Sequence, residues 1–115
     1  MTPQERKALD GFVAAVRSYY GERLDDILVF GSRARGDNKP DSDLDLAVIL
    51  HDGDWKASRE VVVMADMTYD TLMASGLFIQ PVPISLTAWK TPQNQPNRDF
   101  LEAIQREARP LQVAA

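Results

Sequence analysis

The apolar side chains near the start of this sequence recur with the spacing of a helix. Thr2 to Glu5 has the pattern of a capping box with proline at the first helical position, and Gly21 is a natural stop. The sequence therefore predicts a first helix over about residues 3 to 20, with one apolar stripe facing a sheet. The stripe consists of Leu9, Phe12, Val13, Val16 and Tyr20.

Three later apolar segments have the composition of strands. Ile27 to Phe30 is short and partly β-branched, and Asp43 to Leu50 passes from alternating carboxylates to continuously apolar residues. Leu77 to Leu86 contains Pro81 and Pro83. Because proline cannot donate to a ladder, we expect this third segment to be an edge strand or an interrupted one.

Helical spacing also predicts a second long helix, over about residues 55 to 75, closed by Gly76. We expect its buried side to come from Val61, Val62, Met64, Ala65, Thr68, Leu72 and Met73. A last helix is predicted over about residues 98 to 108, with Asn97 as its cap and Pro110 as its end. It should carry Phe100, Leu101 and Ile104 inward, and Leu111 to Ala115 should pack as an extended tail or fray.

These elements predict an α/β fold of the α+β type, in which a small mixed sheet is flanked by helices within a single domain, residues 1–115. A length of 115 residues, 44% hydrophobic and 26% charged residues are typical of one soluble globular domain. The absence of cysteine excludes disulfides and thiolate metal sites, which suits the cytoplasm.

The net charge and the hydropathy of the sequence limit the classes of partner that the protein can bind. The formal net charge of −4 argues against broad binding to nucleic acid. No apolar run approaches the roughly 20 residues that span a bilayer, and the N-terminus lacks the apolar core of a signal peptide. We expect a cytoplasmic protein with no membrane and no direct nucleic-acid partner.

The candidate chemistry lies between the first two predicted strands. Gly31 lets the backbone approach a ligand, and Ser32 adds a hydroxyl and an N–H at an expected helix start, which suits a phosphate. After ten intervening residues, Asp43 and Asp45 share one face of the second strand, because side chains alternate along a strand. Two such carboxylates can converge on Mg²⁺. Either half alone is more often a plain turn or an exposed strand face, but together they predict a site for a metal-bound phosphate.

Gly31-Ser32, ten intervening residues and Asp43-Leu44-Asp45 resemble the signature of the polymerase-β-like nucleotidyltransferase superfamily. The surrounding residues resemble those of its small prokaryotic branch, the minimal nucleotidyltransferases. The resemblance implies transfer of a nucleoside monophosphate, AMP from ATP, to a hydroxyl of a protein or small molecule, with release of pyrophosphate. It also implies a partner, because small members of this branch resemble antitoxins whose toxin is a helical HEPN-type ribonuclease. Some of these antitoxins adenylylate a tyrosine of the toxin.

The resemblance also implies roles for individual residues. Gly31 and Ser32 would hold the β and γ phosphates of the NTP, and Asp43 and Asp45 would bind Mg²⁺ and align the α-phosphorus. Arg35 would contact phosphate and Ser42 would orient the loop. Three basic side chains of the loop suit phosphate contacts or ion pairs with Asp37 or Asp41, namely Arg33, Arg35 and Lys39.

The third predicted strand departs from the family pattern. Members that the sequence resembles carry a third acidic residue on a later strand, but residues 78–85 contain no Asp or Glu. Gln80 could occupy that position, although an amide cannot act as a base. Asp37, Asp41, Asp66, Asp70 and His51 are replacement candidates that are more often surface residues.

Two functions therefore stay open. One is a Mg²⁺-dependent nucleotidyltransferase acting on a partner protein, and the other is a catalytically degenerate module of the same fold that neutralises a partner by contact. Modification of a small molecule is a third class, which usually needs an acceptor-binding domain for which 115 residues leave no room.

Overall fold

The computed structural model describes residues 1–114, which form a four-stranded mixed sheet with helices on both faces. The strands are β1 (Leu24–Phe30), β2 (Leu44–Leu50), β3 (Ile79–Ser85) and β4 (Arg109–Pro110), in the order β3-β2-β1-β4. The pairs β1–β2 and β1–β4 are antiparallel, and β2–β3 is parallel. The predicted fold class is confirmed.

Five helices surround the sheet: α1 (Pro3–Tyr20), α2 (Ser32–Arg35), α3 (Ala57–Ser75), α4 (Leu86–Lys90) and α5 (Arg98–Glu107). Short 3-10 turns cover Gly21–Arg23, Pro92–Asn94 and Leu111–Val113. The predicted bounds of α1 are confirmed. Its capping box is formed, with the N–H of Glu5 donating to Thr2 Oγ1 at 3.0 Å and the N–H of Thr2 donating to Glu5 Oε1 at 2.9 Å.

The side chains of β2 divide the core into two clusters. Leu44, Leu46, Val48 and Leu50 pack with α1 and α3 on one face of the sheet. Ala47 points to the other face and packs with Leu101 and Ile104 of α5. Because side chains alternate, Asp45 lies on the α5 face of the sheet.

The edge position predicted for β3 is confirmed, and the ladder explains its prolines. The N–H of Leu44 donates to the carbonyl of Phe78 at 2.9 Å. In a parallel ladder this directs the peptide groups of even-numbered β3 residues toward β2, so the nitrogens of Pro81 and Pro83 face the open edge. Two prolines at that edge cost the sheet no hydrogen bond and discourage the addition of another strand.

The predicted buried side of α3 is partly wrong. Met64 is buried, but Val61, Val62, Ala65 and Met73 are exposed, Val62 by 70%. Only one side of α3 packs against the rest of the protein, so few of its residues are buried, and some of these are polar. Its buried members are Glu60, Met64 and Thr71. Gly76 does end the helix, and its N–H donates to the carbonyl of Leu72.

The C-terminal segment also differs from the prediction. The side chain of Asn97 makes no capping hydrogen bond, and Phe100 is 49% exposed because only Leu101 and Ile104 of α5 face the sheet. The helix covers Arg98–Glu107, within one residue of its predicted bounds, but the strand that Arg109–Pro110 forms with β1 was not predicted.

The expected extended or frayed tail is instead a 3-10 turn followed by a buried Ala114, and Ala115 lies outside the described residues. Among residues 1–114, no helix is long and apolar enough to cross a membrane.

Candidate functional site

The end of β1 brings Gly31 against the start of β2. Phe30 pairs with Asp45 in the antiparallel ladder, so Gly31 follows directly beside that carboxylate. Gly31 has φ +75° and ψ −159°, a conformation that is accessible essentially only to glycine. A Cβ at this position would overlap Oδ2 of Asp45. The two halves of the sequence motif therefore meet in direct contact.

The two carboxylates of the motif differ in their surroundings. Asp43 is exposed and directly precedes β2, whereas Asp45 lies within β2 and is partly buried. Burial raises the pKa of Asp45, and the negative charges of Asp43 and Glu107 raise it further, while Arg35 opposes them. Ionised Asp45 is therefore unfavourable in the free protein, and a bound cation would relieve this cost.

Gln80 lies in register with Asp45 on the neighbouring strand. Its Nε2 donates to Oδ2 of Asp43 at 3.0 Å. The Gln80 amide therefore contacts the Asp43 carboxylate, and its backbone is paired with that of Asp45. The amide donates a hydrogen bond to Asp43, and unlike a carboxylate it cannot act as an acid or a base.

The donor set fits Mg²⁺ held jointly by protein and nucleotide. Within the part of the chain that the structure describes, no group of three or more His, Cys, Asp or Glu side chains could hold a metal ion. Mg²⁺ commonly uses one or two protein carboxylates together with water and substrate phosphates. Asp43 and Asp45 are the residues that would hold it here.

Glu107, the last residue of α5, is a member of the site that the sequence prediction missed. Its Oε1 accepts from the backbone N–H of Gly31 at 3.1 Å, and its Oε2 accepts from Nη1 of Arg35 at 2.6 Å. Arg35 also donates through Nε to Oδ2 of Asp37 at 3.1 Å. Glu107 lies 76 residues from Gly31, so no local pattern could have linked them.

Arg33 contributes to the loop between α2 and β2 and not to the candidate phosphate position. Its side chain is 2% exposed, and it donates through Nε and Nη2 to the carbonyl of Ser42, at 2.9 and 2.8 Å. It also donates to the carbonyl of Pro40 and lies 3.6 Å from Oε2 of Glu5. The guanidinium therefore binds the loop to α1, and the alternative of a phosphate contact is wrong for this arginine.

The other two predicted site residues, Ser32 and Ser42, make hydrogen bonds to nearby residues in the chain. Ser32 begins α2 directly after Gly31, and its carbonyl accepts from Gly36 at 2.9 Å. Ser42 Oγ accepts from the N–H of Lys39 at 2.8 Å, which closes the turn ahead of Asp43.

The replacement candidates for a third acid lie at the surface. His51 is exposed, with Nε2 3.8 Å from a carboxylate oxygen of Asp25, and the four aspartates are exposed as well: Asp37, Asp41, Asp66 and Asp70.

Comparison with known proteins identifies a relative that shares part of this sequence. A protein of Methanocaldococcus jannaschii, named as a candidate protein adenylyltransferase, is 44% identical over 45 residues, which cover 39% of this chain and 45% of that protein. The chain therefore spans less than half the length of this curated relative.

Two solved structures share the fold. A candidate minimal nucleotidyltransferase is 26% identical, covers 96% of this chain and 97% of its own, and has a TM-score of 0.57. The CdnE cyclic dinucleotide synthase of Elizabethkingia meningoseptica, solved with GTP and Apcpp, is 14% identical, covers 73% of this chain and 38% of its own, and has a TM-score of 0.55. This second likeness concerns the fold alone.

The family model described as the nucleotidyltransferase domain matches residues 9–106, which is most of the chain and includes the Gly31 turn, both motif carboxylates and Gln80. This chain belongs to the nucleotidyltransferase domain family.

Proposed function

We propose that this protein is a Mg²⁺-dependent nucleotidyltransferase that transfers AMP from ATP to a hydroxyl of a partner protein. The observation that carries the proposal is the contact between Gly31 and Asp45. It supports the proposal because a backbone N–H suited to phosphate belongs to the residue that contacts Asp45, one of the two carboxylates suited to a metal ion. Membership of the nucleotidyltransferase domain family supports the same chemistry.

In this proposal the protein acts by positioning and by charge. Asp43 and Asp45 would hold Mg²⁺, which would supply charge neutralisation on the triphosphate. The N–H of Gly31 and the guanidinium of Arg35 contact the β and γ phosphates together with Ser32, and Ser42 keeps the loop ahead of Asp43 in place. Positioning and charge neutralisation are the main contributions expected of a protein in transfer at phosphorus.

The reaction forms a bond between the acceptor oxygen and the α-phosphorus and breaks the bond from that phosphorus to the bridging oxygen. Pyrophosphate leaves with the bridging oxygen, and the proton of the acceptor hydroxyl passes to water. Gln80 cannot accept that proton, because an amide is not a base at neutral pH. We therefore expect slow turnover compared with an enzyme that has a carboxylate at this position.

The acceptor in this proposal is a protein. The segment shared with the Methanocaldococcus jannaschii relative supports this choice, because that relative is named as an adenylyltransferase of proteins. The resemblance to minimal nucleotidyltransferases makes a small helical HEPN-type toxin the first acceptor to test. The protein would then be a cytoplasmic antitoxin.

The second candidate is a degenerate module that neutralises its partner by contact. The hydrogen bond from Gln80 to Asp43 favours it, because the side chain that β3 brings to Asp43 is an amide and not a carboxylate. This module would keep the fold and still bind a nucleotide.

Incubation with α-labelled ATP and Mg²⁺, followed by measurement of intact masses, separates the two candidates. The protein is tested alone and with the product of a neighbouring gene. A gain of one or more AMP groups supports transfer if the Asp43→Asn/Asp45→Asn variant loses it and Asp41→Asn, an exposed residue of the same loop, keeps it. A stable complex without any mass gain supports the contact module and contradicts transfer.

A further inference from the structure

An anion of the protein itself occupies the two donors assigned to phosphate. Glu107 accepts from the N–H of Gly31 and from the guanidinium of Arg35, one carboxylate oxygen to each. A phosphate oxygen pair would use the same two donors. The carboxylate is therefore a stand-in for phosphate, and a ligand can reach these donors only after Glu107 has left them.

Only the side chain of Glu107 has to move. The preceding turns of α5 are fixed by Leu101 and Ile104, which are buried against the sheet, and the chain beyond is fixed by the pairing of Arg109 with Val29. The carboxylate is at the end of a flexible side chain that is 30% exposed. Rotation of its side-chain torsions can release both donors without any shift of the helix.

We propose that Glu107 is a specificity-determining residue that lets this site select a Mg²⁺-bound polyphosphate over free phosphate. A single phosphate would gain little beyond the two hydrogen bonds that Glu107 already makes. It would also face the negative charges of Asp43 and Asp45. A Mg²⁺-bound polyphosphate gains a further link, through the metal, to those two carboxylates. This inference rests on the proposed function, because it uses the same phosphate donors.

The test is calorimetric titration with inorganic tripolyphosphate and with inorganic phosphate, each with and without Mg²⁺. Glu107→Gln removes the competing charge and is expected to bind Mg²⁺-tripolyphosphate about tenfold more tightly than the unmodified protein, equivalent to about 1.4 kcal/mol. It should also bind free phosphate, which we expect the unmodified protein to exclude. The matched control is Glu102→Gln on the same helix, which removes an exposed ion pair with Arg98 and should change neither affinity.

Glu107→Asp provides a second variant that retains the charge. Its shorter side chain cannot reach both donors, so its affinity should lie between those of the unmodified protein and Glu107→Gln. Thermal unfolding of each variant in the same buffer shows whether the fold is kept. Equal or weaker polyphosphate binding by Glu107→Gln and Glu107→Asp would overturn the inference.

The outcomes also separate this inference from the proposed function. Tighter binding by Glu107→Gln with no AMP transfer to any acceptor supports the role of Glu107 and contradicts transfer. AMP transfer with equal affinities in all variants supports the proposed function and overturns the role of Glu107. Absence of polyphosphate binding in every variant, together with absence of transfer, contradicts both.

Discussion

Gly31 and Asp45 are packed so closely that a methyl group on Gly31 would overlap Oδ2 of Asp45. The contact joins the end of β1 to the start of β2. It requires a residue that can adopt positive φ and that has no Cβ. Two independent physical reasons therefore fix glycine at this position.

The variant Gly31→Ala should be destabilised by more than about 2 kcal/mol and should lose polyphosphate binding, because strain and overlap add. Gly36→Ala is the control. Gly36 also has positive φ, +83°, but nothing lies within 4 Å of its Cβ position, so a cost of about 1 kcal/mol and normal binding are expected. Denaturant unfolding and calorimetry measure both effects.

Part of the Gly31→Ala cost should vanish in an Asp45→Ala background. The overlap with the carboxylate is then absent, and only the backbone strain remains. An identical cost in both backgrounds would show that the contact with Asp45 contributes nothing.

Asp45→Asn should stabilise the protein in the absence of metal. Burial and the nearby carboxylates raise the pKa of Asp45, so its ionised form is less favourable in the folded protein than in the unfolded chain. The stability from this group is complete below its ordinary pKa and is lost as the pH rises through the raised value. At about pH 7.5 we expect Asp45→Asn to melt at a higher temperature than the unmodified protein.

This difference should disappear at acidic pH, where Asp45 is protonated in both states. Mg²⁺ with tripolyphosphate should stabilise the unmodified protein and not Asp45→Asn. Asp41→Asn, at an exposed position of the same loop, should leave the melting temperature unchanged. A lower melting temperature for Asp45→Asn without metal would show that the ionised Asp45 side chain does not destabilise the folded protein.

Arg33→Ala should be destabilised by about 3 kcal/mol, because it removes a buried guanidinium and leaves the carbonyl of Ser42 without its donor. Arg33→Lys should recover little of this, since one ammonium group cannot reproduce the planar set of donors. Arg98→Ala, which removes an exposed pair with Glu102, should cost less than about 0.5 kcal/mol. Chemical denaturation compares the three variants, and similar costs for Arg33→Ala and Arg98→Ala would refute the structural role of Arg33.

Tyr20→Phe should destabilise the protein by roughly 1 to 3 kcal/mol. The hydroxyl of Tyr20 donates to Oε1 of Glu60 at 2.8 Å, and Glu60 is 4% exposed, so the variant leaves a buried carboxylate without this donor. Tyr19→Phe is the matched control, because Tyr19 is adjacent in sequence and exposed. Equal unfolding free energies for the two variants would show that the hydrogen bond to Glu60 contributes no stability.

The first helix and the approximate positions of β1, β2 and β3 could be predicted because their signals are local. Thr2 and Glu5 lie three residues apart, and the prolines of β3 restrict their own backbone. The buried side of α3 could not be predicted as well, since Val62 and Met64 are both apolar and only packing decides which one is covered. Glu60 on the same helix is buried because Tyr20 of another helix supplies a donor.

The sequence by itself determined the three longest helices, the three longest strands, the glycine turn and the pair of carboxylates at the start of β2, because each depends on residues that are close in the chain. Only the tertiary structure decided that Glu107 occupies the donors at Gly31 and Arg35, and that Gln80 donates to Asp43. These contacts join residues 37 to 76 positions apart, and their energies depend on burial and on neighbouring charges that exist only in the folded protein.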